Sequence, residues 1–264
     1  MGVLPNSTGC RQAEFEQPWF SYWTAQFHVR LLYHRKLWEY VFICQALWER
    51  GALAPGSRGL GFGVGTEPLS PWFAAHDCKV VATDMAPVAA EAVGWSESHQ
   101  HGRHADQMHW PAICSREKFD AGVTLRECDM NHIPADLTGF DFCWSSCALE
   151  HLGSIEQGLA FIENSIDCLK PGGWAVHTTE YNFSSNDETV ATGSTVLFRR
   201  QDFEALAARL AAKGHRLAPL DFEPGFGIID NYVDVPPYRD EPCLKIALLG
   251  FGSTSFGLIA QRGV

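Results

Sequence analysis

The 264-residue sequence predicts an α/β fold, and three observations support that class. A short apolar run ends in the glycine-rich segment 61–65, and the next apolar run, 80–83, ends in Asp84. Further apolar runs then alternate with segments of helical periodicity. Strands that alternate with helices are typical of βαβ units and a parallel sheet. The length and the 46% hydrophobic content suit one large α/β domain with appendages.

The first 54 residues are predicted to form a helical extension in front of this domain. Residues 1–18 lack a clear periodicity, and we expect them to be disordered or loosely docked. From Trp19 to Arg50 apolar residues recur at helical spacing, and the helix ends near Gly51. This helix either covers the sheet by packing or places residues 34–40 as a lip over a ligand. We therefore assign residues 1–54 to the extension and residues 55–264 to the main domain.

The elements of the main domain follow from apolar runs bounded by glycine, proline and polar residues. Helices are predicted at 67–76, 154–169 and 200–213. Strands are predicted at 57–62, 78–84, 121–128, 140–146, 173–180, about 215–223 and 243–262. The segment 86–120 is longer than a simple crossover needs. The irregular spacing of its histidines favours hydrogen-bonding roles over a metal site, and these residues are His99, His101, His104 and His109.

The glycine-rich segment indicates a ligand that approaches the backbone closely. Gly61, Gly63 and Gly65 leave space that a side chain would fill. Asp84, at the end of the next strand, can accept hydrogen bonds from the two hydroxyls of a ribose. The sequence lacks the third glycine of the Gly-x-Gly-x-x-Gly dinucleotide pattern and the Gly-Lys-Ser/Thr of a triphosphate site. These features together predict a nucleoside ligand without phosphates.

Three further segments follow in the order that such a site requires. Asp129 ends an apolar run and can accept from an exocyclic amine of adenine, while Met130 packs its thioether on the ring. The buried strand 140–146 leads into the polar pair Glu150 and His151. A helix end and a tight turn at 170–173 then lead into another strand.

These four motifs, in this order, resemble those of class I S-adenosylmethionine-dependent methyltransferases over about residues 55–262. The resemblance implies a Rossmann-like seven-stranded mixed sheet of order 3-2-1-4-5-7-6, with strand 7 antiparallel, flanked by helices. It also implies that S-adenosylmethionine lies over the carboxyl ends of the strands. The residues that it assigns to this donor are Gly61, Gly63, Gly65, Asp84, Met85, Asp129, Met130 and Ser146.

One position departs from the family pattern. The family usually has Asp or Glu two residues before the first glycine, and this chain has Gly59 there. The amino-acid end of the donor must then be held by other groups. Glu67 and residues of the N-terminal helix are the candidates.

Glu150 and His151 are the candidate catalytic residues. Transfer to a hydroxyl needs an aligned acceptor and a base for its proton, and a loop after the fourth strand would lie beside the methyl group. The segment 147–151 resembles the Glu-x-x-Glu-His element of ubiquinone-biosynthesis and small-RNA methyltransferases, in which such residues hold a divalent ion. Cys147 replaces the first Glu here. Three interpretations stay open: a general base His151 with its companion Glu150, a Mg²⁺ site completed by Glu180 or Asp187, and a helix cap.

Candidate acceptor-binding groups lie at the end of the fifth strand and in loop 223–241. Glu180 and Asn182 either bind acceptor hydroxyls or seal the strand end. Tyr232 is placed to stack on a sugar or aromatic ring, unless the loop only shapes a long hairpin. The segments 144–152 and 177–182 resemble bacterial methyltransferases of glycan synthesis, in particular mycobacterial mannoside O-methyltransferases.

Charge and cysteine content restrict the partners and the compartment. The net charge of −11 and a pI near 5.4 argue against a nucleic acid, whose binding proteins normally carry a basic stripe. No apolar run has the length of a membrane span. Nine scattered cysteines without a Cys-x-x-Cys pair, and no secretory leader, predict a reducing cytoplasm.

The leading hypothesis is an O-methyltransferase for a polar small molecule, a saccharide in the first instance. We expect neither nucleic acid nor membrane as partner, and the sequence allows a homo-oligomer. Two alternatives stay open. One is methylation of an aromatic natural product or an amine, and the other is a non-catalytic donor-binding module that regulates a partner.

Overall fold

The computed structural model describes residues 4–85 and 105–264. Its helices are α1 (Gln12–Phe15), α2 (Pro18–Gln26), α3 (Arg35–Glu49), α4 (Leu69–Ala75), α5 (Ala105–Met108), α6 (Arg116–Gly122), α7 (Ile155–Asp167) and α8 (Arg200–Ala212). Its strands are β1 (Ser7–Gly9), β2 (Arg58–Phe62), β3 (Lys79–Asp84), β4 (Val123–Glu127), β5 (Phe140–Ser146), β6 (Gly153–Ser154), β7 (Leu169–Asn182), β8 (Thr192–Gly193), β9 (Arg216–Leu217), β10 (Leu220–Asp221), β11 (Val233–Asp234), β12 (Lys245–Leu248) and β13 (Phe251–Gln261).

The central sheet has the predicted α/β architecture. Parallel pairing joins β4, β3, β2, β5 and β7 in that order, and the antiparallel strand β13 pairs with β7. This confirms the mostly parallel, Rossmann-like sheet with helices beside it. Two hydrophobic clusters fill the two faces. One is built mainly from α2, α3 and α4, and the other mainly from α7 and α8.

The outer edge of the sheet differs from the prediction. In place of one strand at 215–223 there are the two-residue strands β9 and β10, on either side of Ala218 and Pro219. Pro219 has no N–H to give to a neighbouring strand, which interrupts the ladder. The N-terminal strand β1 takes the place beside β13, with Thr8 opposite Gly257, and β10 pairs with β1 instead. Residues 7–9 are therefore a buried part of the sheet and not a loosely docked segment.

The predicted helix from Trp19 to Arg50 is two helices, α2 and α3. His28, between them, adopts a left-handed φ of 55°, which a continuous helix excludes. The Nδ1 of His34 accepts from the backbone N–H of Lys36 at 3.1 Å and caps the start of α3. The domain boundary at residue 54 stays a prediction.

The predicted final strand, 243–262, is a hairpin of β12 and β13. Leu249 and Gly250 form its two-residue turn, with φ values of 52° and 88°. Two successive positive φ values are typical of the type I′ turn that suits a twisted hairpin.

Two further predictions concern the histidines of segment 86–120 and the length of the apolar helices. The Nε2 of His109 donates to the carbonyl of Cys114 at 2.8 Å, as a hydrogen-bonding histidine does, whereas His99, His101 and His104 lie outside the described residues. Within residues 4–85 and 105–264, none of the helices combines the length and the apolar character needed to cross a membrane.

Candidate functional site

The glycine turn after β2 has a conformation that side chains would disrupt. Gly63 and Gly65 have left-handed φ values of 57° and 50°. A Cβ on Gly63 would lie 2.9 Å from the Cβ of Ala148 and 3.5 Å from the Sδ of Met130. A Cβ on Gly61 would lie 2.4 Å from the Cγ1 of Val64. The turn therefore brings bare backbone to the carboxyl edge of the sheet.

A cavity of about 260 Å³ lies at this edge. It brings together the predicted residues Gly63, Gly65, Asp84 and Ser146. The other lining residues come from α3, from the rest of the glycine turn and from the end of β5, and they are Lys36, Tyr40, Val64, Thr66, Glu67, Cys147 and Ala148. Of the predicted lip, Lys36 and Tyr40 reach the cavity, whereas Trp38 is buried against Phe42.

The remaining predicted donor residues, Gly61, Met85, Asp129 and Met130, do not themselves line this cavity. Asp84 accepts from the backbone N–H of Met85 at 2.8 Å, so the two residues form one corner. Met130 is buried against the glycine turn, whereas the Asp129 carboxylate is half exposed and accepts from the N–H of Asn131 at 2.8 Å. Their roles toward a nucleoside stay predictions.

The structure gives a physical reason for the departure at Gly59. A Cβ there would lie 2.4 Å from Cζ of Phe142, so the family's acidic side chain has no room. Glu67 places a carboxylate in the cavity instead, where it accepts from the Nε1–H of Trp144 at 2.6 Å. Burial raises the pKa of the Glu67 carboxyl well above its usual range. A cation bound beside Glu67 would offset the free-energy cost of ionising this buried carboxyl.

Helix α3 contributes a buried carboxylate that we did not predict from the sequence. Glu39 is fully buried and accepts from Ser146 Oγ at 3.0 Å, Cys147 Sγ at 3.0 Å and Ser255 Oγ at 2.5 Å. Burial raises the pKa of the Cys147 thiol well above its usual range, so the thiol keeps its proton and donates. In the sequence, the feature that could have indicated this carboxylate is the spacing of Arg35 and Glu39, which lie one helical turn apart on the apolar face of the helix.

Two cations of α3 balance the carboxylates of this cluster. Arg35 pairs with Glu180, and Lys36 Nζ lies 3.4 Å from the carboxylate of Glu39. Burial opposes ionisation of Glu180, but Arg35 and Lys36 outweigh it and lower its pKa. We refer to Arg35, Lys36, Glu39, Cys147, Glu150 and Glu180 as the buried charge cluster.

Glu150 and His151 lie in a single 3-10 turn after β5. Glu150 is buried and accepts from Thr179 Oγ1 at 3.0 Å, and burial raises the pKa of its carboxyl while His151 lowers it. The Nδ1 of His151 lies 2.8 Å from the carbonyl of Ser194. A carbonyl only accepts, so Nδ1 carries the proton of the neutral ring and Nε2 is the acceptor. Nε2 lies 4.0 Å from the Glu150 carboxylate.

The candidate Mg²⁺ ligands come together only in part. The Sγ of Cys147 and one carboxylate oxygen each of Glu150 and Glu180 lie within 4.8 Å of one another, whereas Asp187 is exposed on its loop. Glu180 is already occupied by Arg35 and by Ser253 Oγ, which donates at 2.7 Å. Mg²⁺ prefers oxygen ligands and retained waters, and a protonated thiol is a poor ligand for it. These residues do not fit a magnesium site.

Two predicted acceptor-binding residues lie elsewhere. The amide of Asn182 accepts from the N–H of Ser184 at 3.0 Å and donates to the carbonyl of Glu188 at 3.0 Å, which orders the loop after β7. The Tyr232 hydroxyl donates to Asp234 at 2.9 Å within loop 223–241. Neither residue lines the cavity beside the glycine turn.

Comparisons with known proteins agree with this geometry. The model of a methyltransferase domain family matches residues 34–222. No curated protein matches the chain. Among solved structures, a putative sarcosine dimethylglycine methyltransferase from Galdieria sulphuraria is 13% identical, with 84% of each chain covered and a TM-score of 0.53. The methyltransferase domain of bacterial CtHen1 is 15% identical, covering 84% of this chain and 96% of that one, with a TM-score of 0.50.

The structural neighbours share the fold, and the family match covers well over half of the chain. The matched segment contains α3, the glycine turn, Asp84 and the turn of Glu150 and His151. The chain therefore belongs to the methyltransferase domain family, with the fold and domain of an S-adenosylmethionine-dependent enzyme.

Proposed function

We propose that this methyltransferase transfers a methyl group to a hydroxyl of a polar small molecule, specifically a saccharide. The observation that carries this proposal is the buried charge cluster together with the hydroxyls of Ser146, Thr178 and Thr179. Carboxylates and hydroxyls are groups that bind the many O–H donors and acceptors of a sugar. They lie at the same strand ends as the glycine turn.

We assign the donor to the cavity beside the glycine turn. When bound there, S-adenosylmethionine supplies a methyl group on a positively charged sulfur, which is already activated for transfer. We assign the ribose hydroxyls to Asp84 and the adenine to Met130 and Asp129. The bare backbone at Gly63 and Gly65 leaves room for the nucleoside.

We assign the amino-acid end of the donor to Glu67 and Lys36. Both line the same cavity. Lys36 is a cation, and the Glu67 carboxyl, whose pKa burial raises, would ionise when the α-ammonium of the donor binds beside it. Glu67 would hold the α-ammonium and Lys36 the carboxylate. This pair takes over the function of the acidic residue that Phe142 excludes at Gly59.

Three ligands distinguish these two contacts. A charge-assisted hydrogen bond contributes about 1.5–3 kcal/mol, so loss of one is expected to weaken binding by about 10- to 100-fold. Glu67→Gln should weaken S-adenosylhomocysteine and decarboxylated S-adenosylmethionine, because both carry the amine. Lys36→Met should weaken S-adenosylhomocysteine only. Calorimetry measures each affinity.

The control ligand is 5′-methylthioadenosine, which lacks the whole amino-acid end and should bind all three proteins equally well. Equal losses for the three ligands in either variant would mean that the substitution disturbs the cavity as a whole. Unchanged affinity for S-adenosylhomocysteine in Glu67→Gln would contradict the assignment of the α-ammonium.

His151 is our candidate base. Its Nδ1 donates to the carbonyl of Ser194, so the lone pair of the neutral ring is on Nε2, and we assign to Nε2 the proton of the acceptor hydroxyl. The buried carboxylate of Glu150, 4.0 Å away, stabilises the imidazolium that results. Glu150 is therefore a positioning residue in this proposal.

Transfer is expected to be independent of added metal. Arg35 and Lys36 already supply the positive charge that a divalent ion would bring to Glu180 and Glu39. Turnover should stay within about twofold in excess chelator, measured after extensive dialysis. Complete loss that magnesium or manganese restores, and calcium does not, would instead make Glu150 and His151 metal ligands.

A mass screen tests the reaction itself. Protein and S-adenosylmethionine are incubated with pooled mannosides, catechols and amines, and products are examined for a gain of one methylene group. Gain on the mannosides supports the proposal. Gain confined to catechols or amines would replace it with the corresponding alternative. Tight S-adenosylhomocysteine binding without any transfer would favour a donor-binding module.

A further inference from the structure

A second cavity, of about 610 Å³, lies beside the start of α3. Its volume is within the range of small-molecule sites. Most of its wall is apolar or aromatic, and these residues are Phe27, Val29, Leu32, Leu37, Tyr40, Pro68 and Trp110. Loop residues Asp240 and Glu241 complete its rim. The wall is thus unlike the charged wall of the donor cavity.

The two cavities adjoin. Tyr40 lines both of them. On α3, Lys36 lines the donor cavity and its neighbour Leu37 lines the second one. On the loop before α4, Glu67 lines the donor cavity and the next residue, Pro68, lines the second one. The two cavities are therefore neighbours that share Tyr40, with α3 and the loop before α4 contributing residues to both.

Protein contacts already use much of the polar wall of the second cavity. Arg30 forms an ion pair with Glu241 at 2.9 Å. The Nε1–H of Trp110 donates to the carbonyl of Thr66 at 3.0 Å, and Nδ1 of His34 accepts from the N–H of Lys36. A ligand therefore meets mainly apolar surface, whose burial drives binding. The carboxylate of Asp240 at the rim disfavours an anionic ligand.

We propose that this second cavity binds the apolar portion of the acceptor. The inference rests on the proposed saccharide methylation and names its substrate class: an uncharged glycoside that carries an alkyl or aryl group. The sugar faces the buried charge cluster, and the alkyl or aryl group lies among Phe27, Leu37 and Trp110. This arrangement uses both the polar and the apolar wall of the site.

The test measures the affinity of methyl, butyl and hexyl mannoside by calorimetry, with S-adenosylhomocysteine at saturation. Each buried methylene is expected to tighten binding by about fourfold. Leu37→Gln and Leu32→Gln should remove most of this dependence on chain length, since both residues line the cavity. Leu125→Gln is the matched control, because Leu125 is a partly exposed leucine on the edge strand β4 and does not line the second cavity.

The outcomes separate this inference from the proposed reaction. Equal affinity for the three mannosides, or binding of none, would overturn the inference. So would a chain-length dependence that survives in both Leu37→Gln and Leu32→Gln. Affinity that rises with chain length in the wild type, falls in these two variants and persists in Leu125→Gln supports it, even where no methyl transfer follows. Absence of transfer to any of the bound mannosides would count against the proposed reaction alone.

Discussion

A Gly63→Val variant is expected to lose at least about 100-fold in affinity for S-adenosylhomocysteine while the protein stays folded. Two effects act in the same direction. The φ of 57° at this position is strained for a β-branched residue, and the new Cβ would lie 2.9 Å from Ala148. Relief of this contact moves the turn into the donor cavity. Calorimetry gives the affinity, and circular dichroism with thermal unfolding reports on the fold.

Gly172→Val is the control that separates the effect of backbone strain from the effect of the steric contact with Ala148. Gly172 has a φ of 79°, and nothing lies within 4 Å of its added Cβ. This variant should be destabilised by a similar strain but bind S-adenosylhomocysteine as the wild type does. A folded Gly63→Val protein with normal affinity would show that the glycine turn does not contact the donor.

His151→Ala is expected to lower turnover by about 10²- to 10⁴-fold, because it removes the proposed general base. Affinity for S-adenosylhomocysteine should change little, since His151 does not line the donor cavity. Turnover of the wild type should rise with pH, because only the neutral imidazole accepts a proton. Steady-state kinetics over a range of pH, with a mannoside identified by the screen, measures both effects.

His215→Ala is the matched control. The Nδ1 of His215 accepts from the backbone N–H of Gly263, and His215 does not line the cavity beside the glycine turn. Turnover of this variant should therefore stay near normal. Glu150→Gln should cause a smaller loss than His151→Ala and move the pH profile, as expected for a residue that acts through the imidazole. Near-normal turnover in His151→Ala would remove it from the mechanism and direct attention to Glu150 or Glu180.

The parts of the site that depend on local sequence could be predicted. The glycine turn and Asp84 lie at the ends of consecutive parallel strands, and parallel strands place those ends together. The apolar runs of β2, β3 and β5 are long enough to indicate buried strands. A short stretch of sequence was therefore sufficient to predict the framework of the cavity beside the glycine turn.

The parts that depend on distant contacts could not be predicted. Strand β1 is the tripeptide Ser7-Thr8-Gly9, which has no apolar alternation. Its burial follows from β13, its partner strand near the other end of the chain. The burial of Glu39 could not be predicted for the same reason, because its hydrogen-bond donors come from three separate strands. A charged residue in a helix normally indicates an exposed face.

The order in which the polypeptide is synthesised bears on when the surroundings of Glu39 are complete. Glu39 bonds to Ser255 across 216 residues, and Ser7 bonds to the N–H of Ile259 across 252 residues. Contacts of such sequence separation form late, since most of the chain must first be ordered. The buried carboxylate of Glu39 has its full set of hydroxyl donors only when β13 supplies Ser255, and a buried charge with fewer partners is less favourable. A nascent chain on the ribosome therefore completes the surroundings of Glu39 only after strand β13 has emerged from the exit tunnel.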